Sequence, residues 1–310
     1  MEPEVSVVVP TFRRPRLLAR LLDSLAAQDV GGDHFEVVVV DDGSGDETPE
    51  VLAGRARPGW RWEARPANRG PAAARNRGVE LARGRWILFL DDDIVAPPGL
   101  VREHLGWLRA GDDRLGVVGL VEWWPGLEIT PFMAWLDGTD AQFSFPTLSE
   151  GPVVPASRAF YTCNVSLSRS CLEAAGGFDE RFRHPAYEDA ELAVRLEATG
   201  FHLDYRPSAL AWHARPVTLD AFVERMEKVG ESAVLLSRLH PELDRIVDID
   251  APPAGWRRRA GRGMARAGGP LLARSPLRRR YYAVAVSAAY HRGVARAKSQ
   301  VGPAEGRRSR

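Results

Sequence analysis

The run Trp86-Ile87-Leu88-Phe89-Leu90, followed at once by Asp91-Asp92-Asp93, constrains this chain more than any other stretch. Five apolar residues in a row, with Pro97 and Pro98 just beyond, predict a short strand buried on both faces. Three adjacent carboxylates repel one another when ionised. They need a compensating charge, most simply a divalent cation held by hard oxygen ligands. Open α/β sheets bind ligands at the carboxyl ends of parallel strands, so the triple Asp reads as a metal site at such an end.

The chain before it has a β–α rhythm. Val5-Ser6-Val7-Val8-Val9 is a β-branched run closed by Pro10, and Pro15 then opens a helix carrying Leu17, Leu18, Leu21, Leu22 and Leu25 at helical spacing. Phe35 to Val40 is a second apolar strand ending at Asp41-Asp42-Gly43-Ser44, with a short helix over Glu47 to Ala53. A third strand is expected around Trp60 to Glu63. Asn68-Arg69-Gly70-Pro71 then leads into an alanine-rich helix reaching about Ala82. Such alternation implies right-handed crossovers and a Rossmann-like, mostly parallel α/β sheet with helices on both faces. Pro10-Thr11-Phe12, Asp41-Asp42 and Asp91 to Asp93 would then meet along one sheet edge.

Composition adds a charge asymmetry. The 310 residues are 45% hydrophobic, ample for a core, and the formal net charge is only +1. From Ala251 to Arg310 the chain carries 14 Arg and one Lys against the single Glu305, a net +14 that leaves −13 for the first 250 residues. An acidic body thus carries a basic tail. Cys163 and Cys171 are too few for a disulfide framework and match no usual zinc spacing, which points to a reducing compartment. Glu2 and Glu4 stand where a signal peptide would be positive, and no apolar run approaches the ~18 residues of a membrane span. A cytoplasmic protein is expected, with peripheral attachment to the inner face of the cell membrane left open.

Further on, Glu122 to Arg158 is rich in aromatic residues, Pro and Gly, and reads as a loop-rich binding wall containing Trp123, Trp124, Trp135, Phe132, Phe143 and Phe145. Asn164 to Leu167 follows, then a turn at Gly176-Gly177-Phe178-Asp179. Tyr187-Glu188-Asp189 opens a helix through Leu192 and Leu196, where acids at the first turn suit the helix dipole. Ala209 to His213 is predicted as a short strand and Leu219 to Leu239 as a long amphipathic helix.

In this order, Val7 to Arg13, Asp41-Asp42-Gly43-Ser44, Asn68-Arg69-Gly70 with Arg75-Asn76, the triple Asp, Gly176-Gly177-Phe178-Asp179, Glu188-Asp189 and Trp212-His213 resemble the family 2 glycosyltransferases. The resemblance covers residues 4 to 240 and rests on co-occurrence of the motifs rather than on any one of them. It implies the glycosyltransferase type A fold and an inverting transfer of a sugar from a nucleotide diphosphate, with a UDP-sugar as the expected donor. On this reading residues 1–115 form the nucleotide-sugar-binding half, 116–240 the acceptor and catalytic-base half of the same domain, and 241–310 a basic helical or partly disordered extension.

The resemblance also implies roles. Asp91, Asp93 and His213 would hold Mn²⁺ or Mg²⁺, a Lewis acid for the departing diphosphate, and Asp92 would reach the ribose. Pro10, Thr11, Phe12 and Arg13 would line the nucleotide, with Phe12 stacking on the base and Asp42 accepting its N3–H. Arg69 and Arg75 are candidates for the diphosphate. Asp189 would be the base that deprotonates an acceptor hydroxyl, with Glu188 assisting it. Plainer readings stay open: Asp42 as an Asp-Gly turn, Glu188 and Asp189 as helix caps, His213 as a structural histidine.

The expected partners are the nucleotide sugar and a glycan, lipid-linked or small-molecule acceptor. Arg257-Arg258-Arg259 and Arg278-Arg279-Arg280, flanking Leu271-Leu272 and near Tyr281-Tyr282, suit an anionic membrane surface, or equally a solvated end or a docking segment. Nucleic acid is not expected, because no binding motif accompanies the charge. A dinucleotide oxidoreductase would share the rhythm, but the first strand ends in Pro10-Thr11-Phe12 and no Gly-x-Gly-x-x-Gly follows it. A non-catalytic binding protein on the same scaffold is the remaining alternative.

Overall fold

The computed structural model describes residues 2–32, 34–247, 249 and 277–300. The chain divides into two compact units, one formed by Met1–Ile129 with Leu136–Pro216 and the other by Thr130–Trp135 with Val217–Arg310. The first unit holds a mixed sheet that has nine strands among the described residues, in the order β3-β2-β1-β4-β8-β6-β9-β5, with β7 also paired to β9.

Strands β1 (Val5–Thr11), β2 (Phe35–Asp41), β3 (Arg61–Ala64) and β4 (Trp86–Leu90) are mutually parallel. β8 (Asn164–Ser168) runs against both β4 and β6 (Leu115–Trp123), and β6 is parallel to β9 (His202–His213). Six strands therefore share one direction, while β8, β5 (Ile94–Val95) and β7 (Gly151–Val153) oppose it. All residues of β2 and β4 are buried, as the continuous apolar runs require of strands covered on both faces.

The helices of this unit are α1 (Pro15–Leu25), α2 (Thr48–Ala53), α3 (Pro71–Leu81), α4 (Leu100–Ala110), α5 (Pro131–Asp137, which begins in the other unit), α6 (Arg169–Ala175) and α7 (Glu188–Ala198). Helix α1 buries Leu18, Leu21, Leu22 and Leu25 along one stripe, about 1.5–3 kcal/mol for each leucine fully removed from water. Helix α3 is seated closely because Gly78 lies over β1. A Cβ at Gly78 would come within 2.4 Å of Val8 Cγ1 and 3.7 Å of Val40 Cγ2.

Two features differ from the sequence expectation. The aromatic segment is preceded by a nine-residue strand, β6, interrupted by a bulge between Gly119 and Val121. Gly119 is needed there, since a Cβ would sit 2.0 Å from the Ala209 carbonyl oxygen and 2.3 Å from Asn164 Nδ2. The last strand spans His202–His213 rather than Ala209 to His213 alone.

In the second unit, α8 (Leu219–Leu239), the single turn α9 (Asp244–Val247) and α10 (Arg278–Gln300) form the helical part. Gly230 of α8 and Gly293 of α10 let the two helices touch, for a Cβ on either would meet the other helix's backbone at 2.0 and 1.9 Å. Arg292 pairs with Glu227 at 2.7 Å and Arg296 with Glu231 at 2.9 Å. Tyr282, expected to be available to a lipid interface, is only 4% exposed and packs on Phe132 at 5.1 Å and on Trp135 at 5.7 Å. Tyr282 is thus spent on internal packing. Arg257-Arg258-Arg259 and Leu271-Leu272 lie outside the described residues. No helix among the described residues is long and apolar enough to cross a membrane.

Replacing Gly78 by leucine should overpack α3 against β1 and lower the unfolding free energy by about 1–3 kcal/mol. Urea unfolding of the variant and the wild type measures it, and an unchanged midpoint would refute this account of the α3 seat.

Candidate functional site

The ends of β1, β2 and β4 lie side by side, so Thr11, Asp41-Asp42 and Asp91 to Asp93 meet at one rim of the sheet as the β–α rhythm predicts. Just after the triple Asp the chain forms β5, which pairs antiparallel with the end of β9, Ile94 opposite His213. Asp93 carbonyl oxygen accepts a hydrogen bond from Ala214 N–H at 2.7 Å. This pairing brings residue 213 to residue 93.

The three acids are held differently. Asp92 is buried and accepts from Thr11 Oγ1 at 2.8 Å and from Arg14 Nη1 at 2.8 Å. Asp93, also buried, lies 3.2 Å from Arg14 Nη1, 3.1 Å from Arg215 Nε and 3.6 Å from His213 Nε2. Asp91 is the most open of the three and accepts from Arg75 Nη2 at 2.9 Å. Burial, with a smaller push from Asp93, raises the Asp92 carboxyl from 3.8 to about 6 against the pull of Arg14.

Arg75, proposed from sequence for the diphosphate, is 3% exposed, with its guanidinium arms on Asp91 and on Glu188 Oε1 at 2.8 Å. It is a brace from α3 to the end of β4 and the start of α7. Its neighbour Asn76 locks the Gly176-Gly177-Phe178-Asp179 turn, donating to the Phe178 carbonyl at 2.9 Å and accepting from Phe178 N–H at 2.8 Å. Glu188 Oε2 is buried with no hydrogen-bond partner among the described residues.

Asp189, one residue further, is half-buried and accepts from Ala190 N–H at 2.8 Å. Tyr187 enters this helix with φ 67°, a left-handed conformation that a bulky side chain adopts only under surrounding constraint. The buried Cys163 thiol is pushed well up, by burial first and then by Asp91, Asp93 and Asp189, so these three acids act on one buried group.

Asp42 organises the loop before α3. It accepts from the backbone N–H of Arg69 at 3.0 Å and of Gly70 at 2.7 Å, and from Arg65 Nη1 at 3.0 Å. Burial raises its pKa while the two backbone donors oppose that shift. Gly70 has φ 95°, and a Cβ there would meet the Arg183 carbonyl oxygen at 2.7 Å. Arg69 itself is exposed and pairs with Glu180 at 2.9 Å.

Pro10 and Phe12 are half-buried, with the exposed Arg13 guanidinium 5.0 Å from the Phe12 ring centroid. Arg13 N–H donates to Ser44 Oγ at 2.8 Å, closing the first loop on the second.

Among the described residues no group of three His, Cys, Asp or Glu side chains forms a ready metal cage. What is present is a carboxylate and an imidazole 3.6 Å apart, with the more open Asp91 on the same rim. Carboxylate and imidazole donors of this kind fit a hard divalent cation. The arginines that hold the acids, Arg14 and Arg215, were not singled out in the sequence. Their signal was their position, one shortly after the first strand and one just after the last. His104, likewise unremarked, is a satisfied core histidine bonded to Ser166 and Asn164 at 2.8 and 2.9 Å, with burial lowering its pKa to about 4. Trp135 belongs to the aromatic packing of the second unit, and Trp124 stacks against Arg20 at 4.4 Å.

Residues 6–123 match the family described as glycosyl transferase family 2, and residues 86–261 match glycosyl transferase family group 2. A validoxylamine A glucosyltransferase of Streptomyces hygroscopicus is 30% identical over 78% of this chain and 58% of its own length. The O-antigen biosynthesis protein RfbC of Myxococcus xanthus is 33% identical over 65% of this chain and 16% of its own. The chain spans about three-fifths of the length of the glucosyltransferase relatives. In structure it is similar to a mannosyltransferase from Pyrobaculum calidifontis, solved with GDP-Man and Mn²⁺, at a TM-score of 0.66 and 21% identity over 97% of this chain and 88% of that one. Staphylococcus aureus TarS residues 1–349 with UDP gives a TM-score of 0.55 at 18% identity, over 97% and 92%. These structural likenesses establish the glycosyltransferase type A fold.

The Asp92 carboxyl binds its proton more tightly in the folded chain than in the unfolded one, so its ionisation lowers stability as pH rises from about 4 to about 6. Removing the guanidinium in Arg14→Met should deepen that loss. We expect a deficit of about 2–3 kcal/mol at pH 7, below the ~3–5 of a fully buried pair because Arg14 is partly solvated. The deficit should shrink as pH falls below 6. Urea unfolding between pH 5 and 8 checks it, and a pH-independent deficit would contradict the assignment.

Proposed function

Because the chain belongs to the family 2 glycosyltransferases, we propose that it transfers a hexosyl group with inversion from a UDP-sugar to an acceptor hydroxyl. The observation that carries this reading is the Arg75 brace. One buried guanidinium joins Asp91, on the donor side, to Glu188, the residue before the acceptor-side acid.

Asp189 is the base. It removes the proton of the acceptor hydroxyl as that oxygen attacks the anomeric carbon, and the bond from that carbon to the diphosphate oxygen breaks in the same step. Glu188, fixed by Arg75, orients the first turn of α7, and the constrained Tyr187 sets the direction in which Asp189 points. Thr11 and Asp92 face the ribose, and Phe12 flanks the base. Asp42 keeps the Arg69-Gly70 backbone against the nucleotide loop and offers its remaining acceptor capacity to the N3–H of uracil. Arg13, Arg14 and Arg215 supply positive charge beside the diphosphate.

Asp93 and His213, with Asp91, would hold Mn²⁺ or Mg²⁺. When bound, such a cation supplies Lewis-acid stabilisation of the leaving diphosphate. The glucosyltransferase relatives favour glucose as the first donor sugar to test. The acceptor class is a glycan, a lipid-linked saccharide or a small polyol.

Asp93→Ala should lose metal-dependent UDP binding in calorimetry. Asp189→Asn should bind UDP like the wild type while its transfer rate falls by about 10²–10⁴-fold. Normal UDP binding with Mn²⁺ by the first variant, or retained turnover by the second, refutes the corresponding role. With 1 mM EDTA, nucleotide-sugar turnover should stop and Mn²⁺ should restore it. Undiminished turnover in EDTA would remove the cation from the reaction.

A further inference from the structure

The pairing of β6 with β9 slips by three residues on its way to the acid rim. Gly119 stands opposite Arg206 and Val121 opposite Ala211, so β6 advances two residues where β9 advances five. Beyond the slip, Trp123 faces His213, and His213 meets Ile94 of β5 and lies 3.6 Å from Asp93. Had the first register continued, Leu210 would face Trp123 and His213 would lie about 10 Å further along. The slip therefore decides which side chain reaches Asp93.

An irregularity inside a sheet takes carbonyls out of the ladder, and they need other donors. Here one side chain serves two of them. Asn164 Nδ2 donates to the Leu120 carbonyl at 3.1 Å and to the Ala209 carbonyl at 2.8 Å, both within the slipped stretch. Gly119, lacking a Cβ, leaves space for that amide. Through its backbone Asn164 is also paired with Leu90, the residue before Asp91. One residue thus spans from the root of the triple Asp to the slip that delivers His213.

His104 of α4 orients the amide from its other side. His104 Nε2 lies 2.9 Å from Asn164 Oδ1, and Nδ1 lies 2.8 Å from Ser166 Oγ. Both Asn164 N–H bonds are spent on carbonyls, so Oδ1 is the acceptor, Nε2 carries the imidazole proton and Nδ1 accepts from the Ser166 hydroxyl. Turned over, the amide would set its oxygen against two carbonyl oxygens. All three side chains are 0% exposed, so each bond lost would leave a buried polar group unpaired. Burial lowers the His104 pKa to about 4, which keeps the ring neutral and Nδ1 an acceptor.

We infer that Asn164, oriented by His104, is a positioning residue: it holds the three-residue slip between β6 and β9 and thereby keeps His213 beside Asp93. The inference rests on the transfer reading above and adds a control on its cation ligands from outside the rim.

The test joins long-range ¹H–¹⁵N spectra of the seven histidines in the metal-free full chain to calorimetric titration with Mn²⁺ in the presence of UDP. His213→Gln identifies the His213 signals. Asn164→Asp keeps an acceptor for His104 but donates nothing to Leu120 or Ala209, and His104→Leu leaves the amide unoriented. Each should shift the His213 signals and weaken Mn²⁺ binding about three- to tenfold, while metal-free UDP binding changes less than about twofold. His104→Gln, which again offers one donor and one acceptor, should leave the His213 signals in place and Mn²⁺ affinity within about twofold of the wild type. The proposal is overturned if Asn164→Asp and His104→Leu are destabilised yet keep the wild-type His213 signals and Mn²⁺ affinity, or if His104→Gln is as impaired as His104→Leu. Should the variants lose cooperative unfolding, the wild-type spectrum decides: a His104 proton on Nε2 upholds the network, and one on Nδ1 overturns it. If the wild type binds no Mn²⁺, the cation reading falls and the His213 signals of the metal-free variants decide alone. If the wild type turns over no nucleotide sugar while His213 responds as described, the transfer reading falls and the positioning of His213 stands.

Discussion

A single buried guanidinium holds the candidate site together. Arg75 lies on α3, yet its two arms end on Asp91 at the tip of β4 and on Glu188 at the start of α7. A charge removed from water this completely is tolerable only with both partners in place, since loss of either leaves an uncompensated ion in the interior. Three elements are thereby fixed relative to one another by one side chain. The neighbouring Asn76 adds the Gly176-Gly177 turn to the same frame. Residues distant in sequence thus share one origin of coordinates, which suits a reaction whose attacking and leaving atoms must be aligned.

Around this brace the crowding of three carboxylates is resolved by unequal treatment. Asp92 is drawn inward onto Thr11 and Arg14, Asp93 faces Arg14, Arg215 and His213, and Asp91 stays the most open. The guanidiniums answer the repulsion that the bare sequence assigns to a cation, and they do so without forming a closed cage. The rim therefore keeps carboxylate and imidazole donors side by side, with the arginines next to them.

Much of this was legible in the sequence because it depends on local pattern. Trp86–Leu90 and Leu219–Leu239 have the bounds that their apolar runs and spacing predict, and Pro15 opens α1 as its ring requires. The parallel ordering of the first strands follows from alternation with helices. β6 escaped because Gly116 and Gly119 dilute its apolar signal, and only the folded sheet shows that Gly116 makes room for the Phe201 ring and Gly119 for the Ala209 backbone. β9 was read short because Pro207 and the charges of Asp204 and Arg206 break its pattern. The burial of Arg75 is not written in an alanine-rich helix with little amphipathic contrast, and its two partners come from elements 16 and 113 residues away. The nearness of His213 to Asp93 depends on strand pairing, which no motif spells out.

The two-residue strand β5 has a consequence outside chemistry. A twelve-residue strand such as β9, placed far from the parallel core, would present a long row of unpaired backbone groups to any other chain with a strand to offer. β5 covers one end of that row at Trp212 and His213, and β7 covers the other at Leu203 to Tyr205. The segment that follows the triple Asp therefore also guards a sheet border. Loosening it should favour edge-to-edge self-association, making solubility and ligand geometry two properties of the same short stretch.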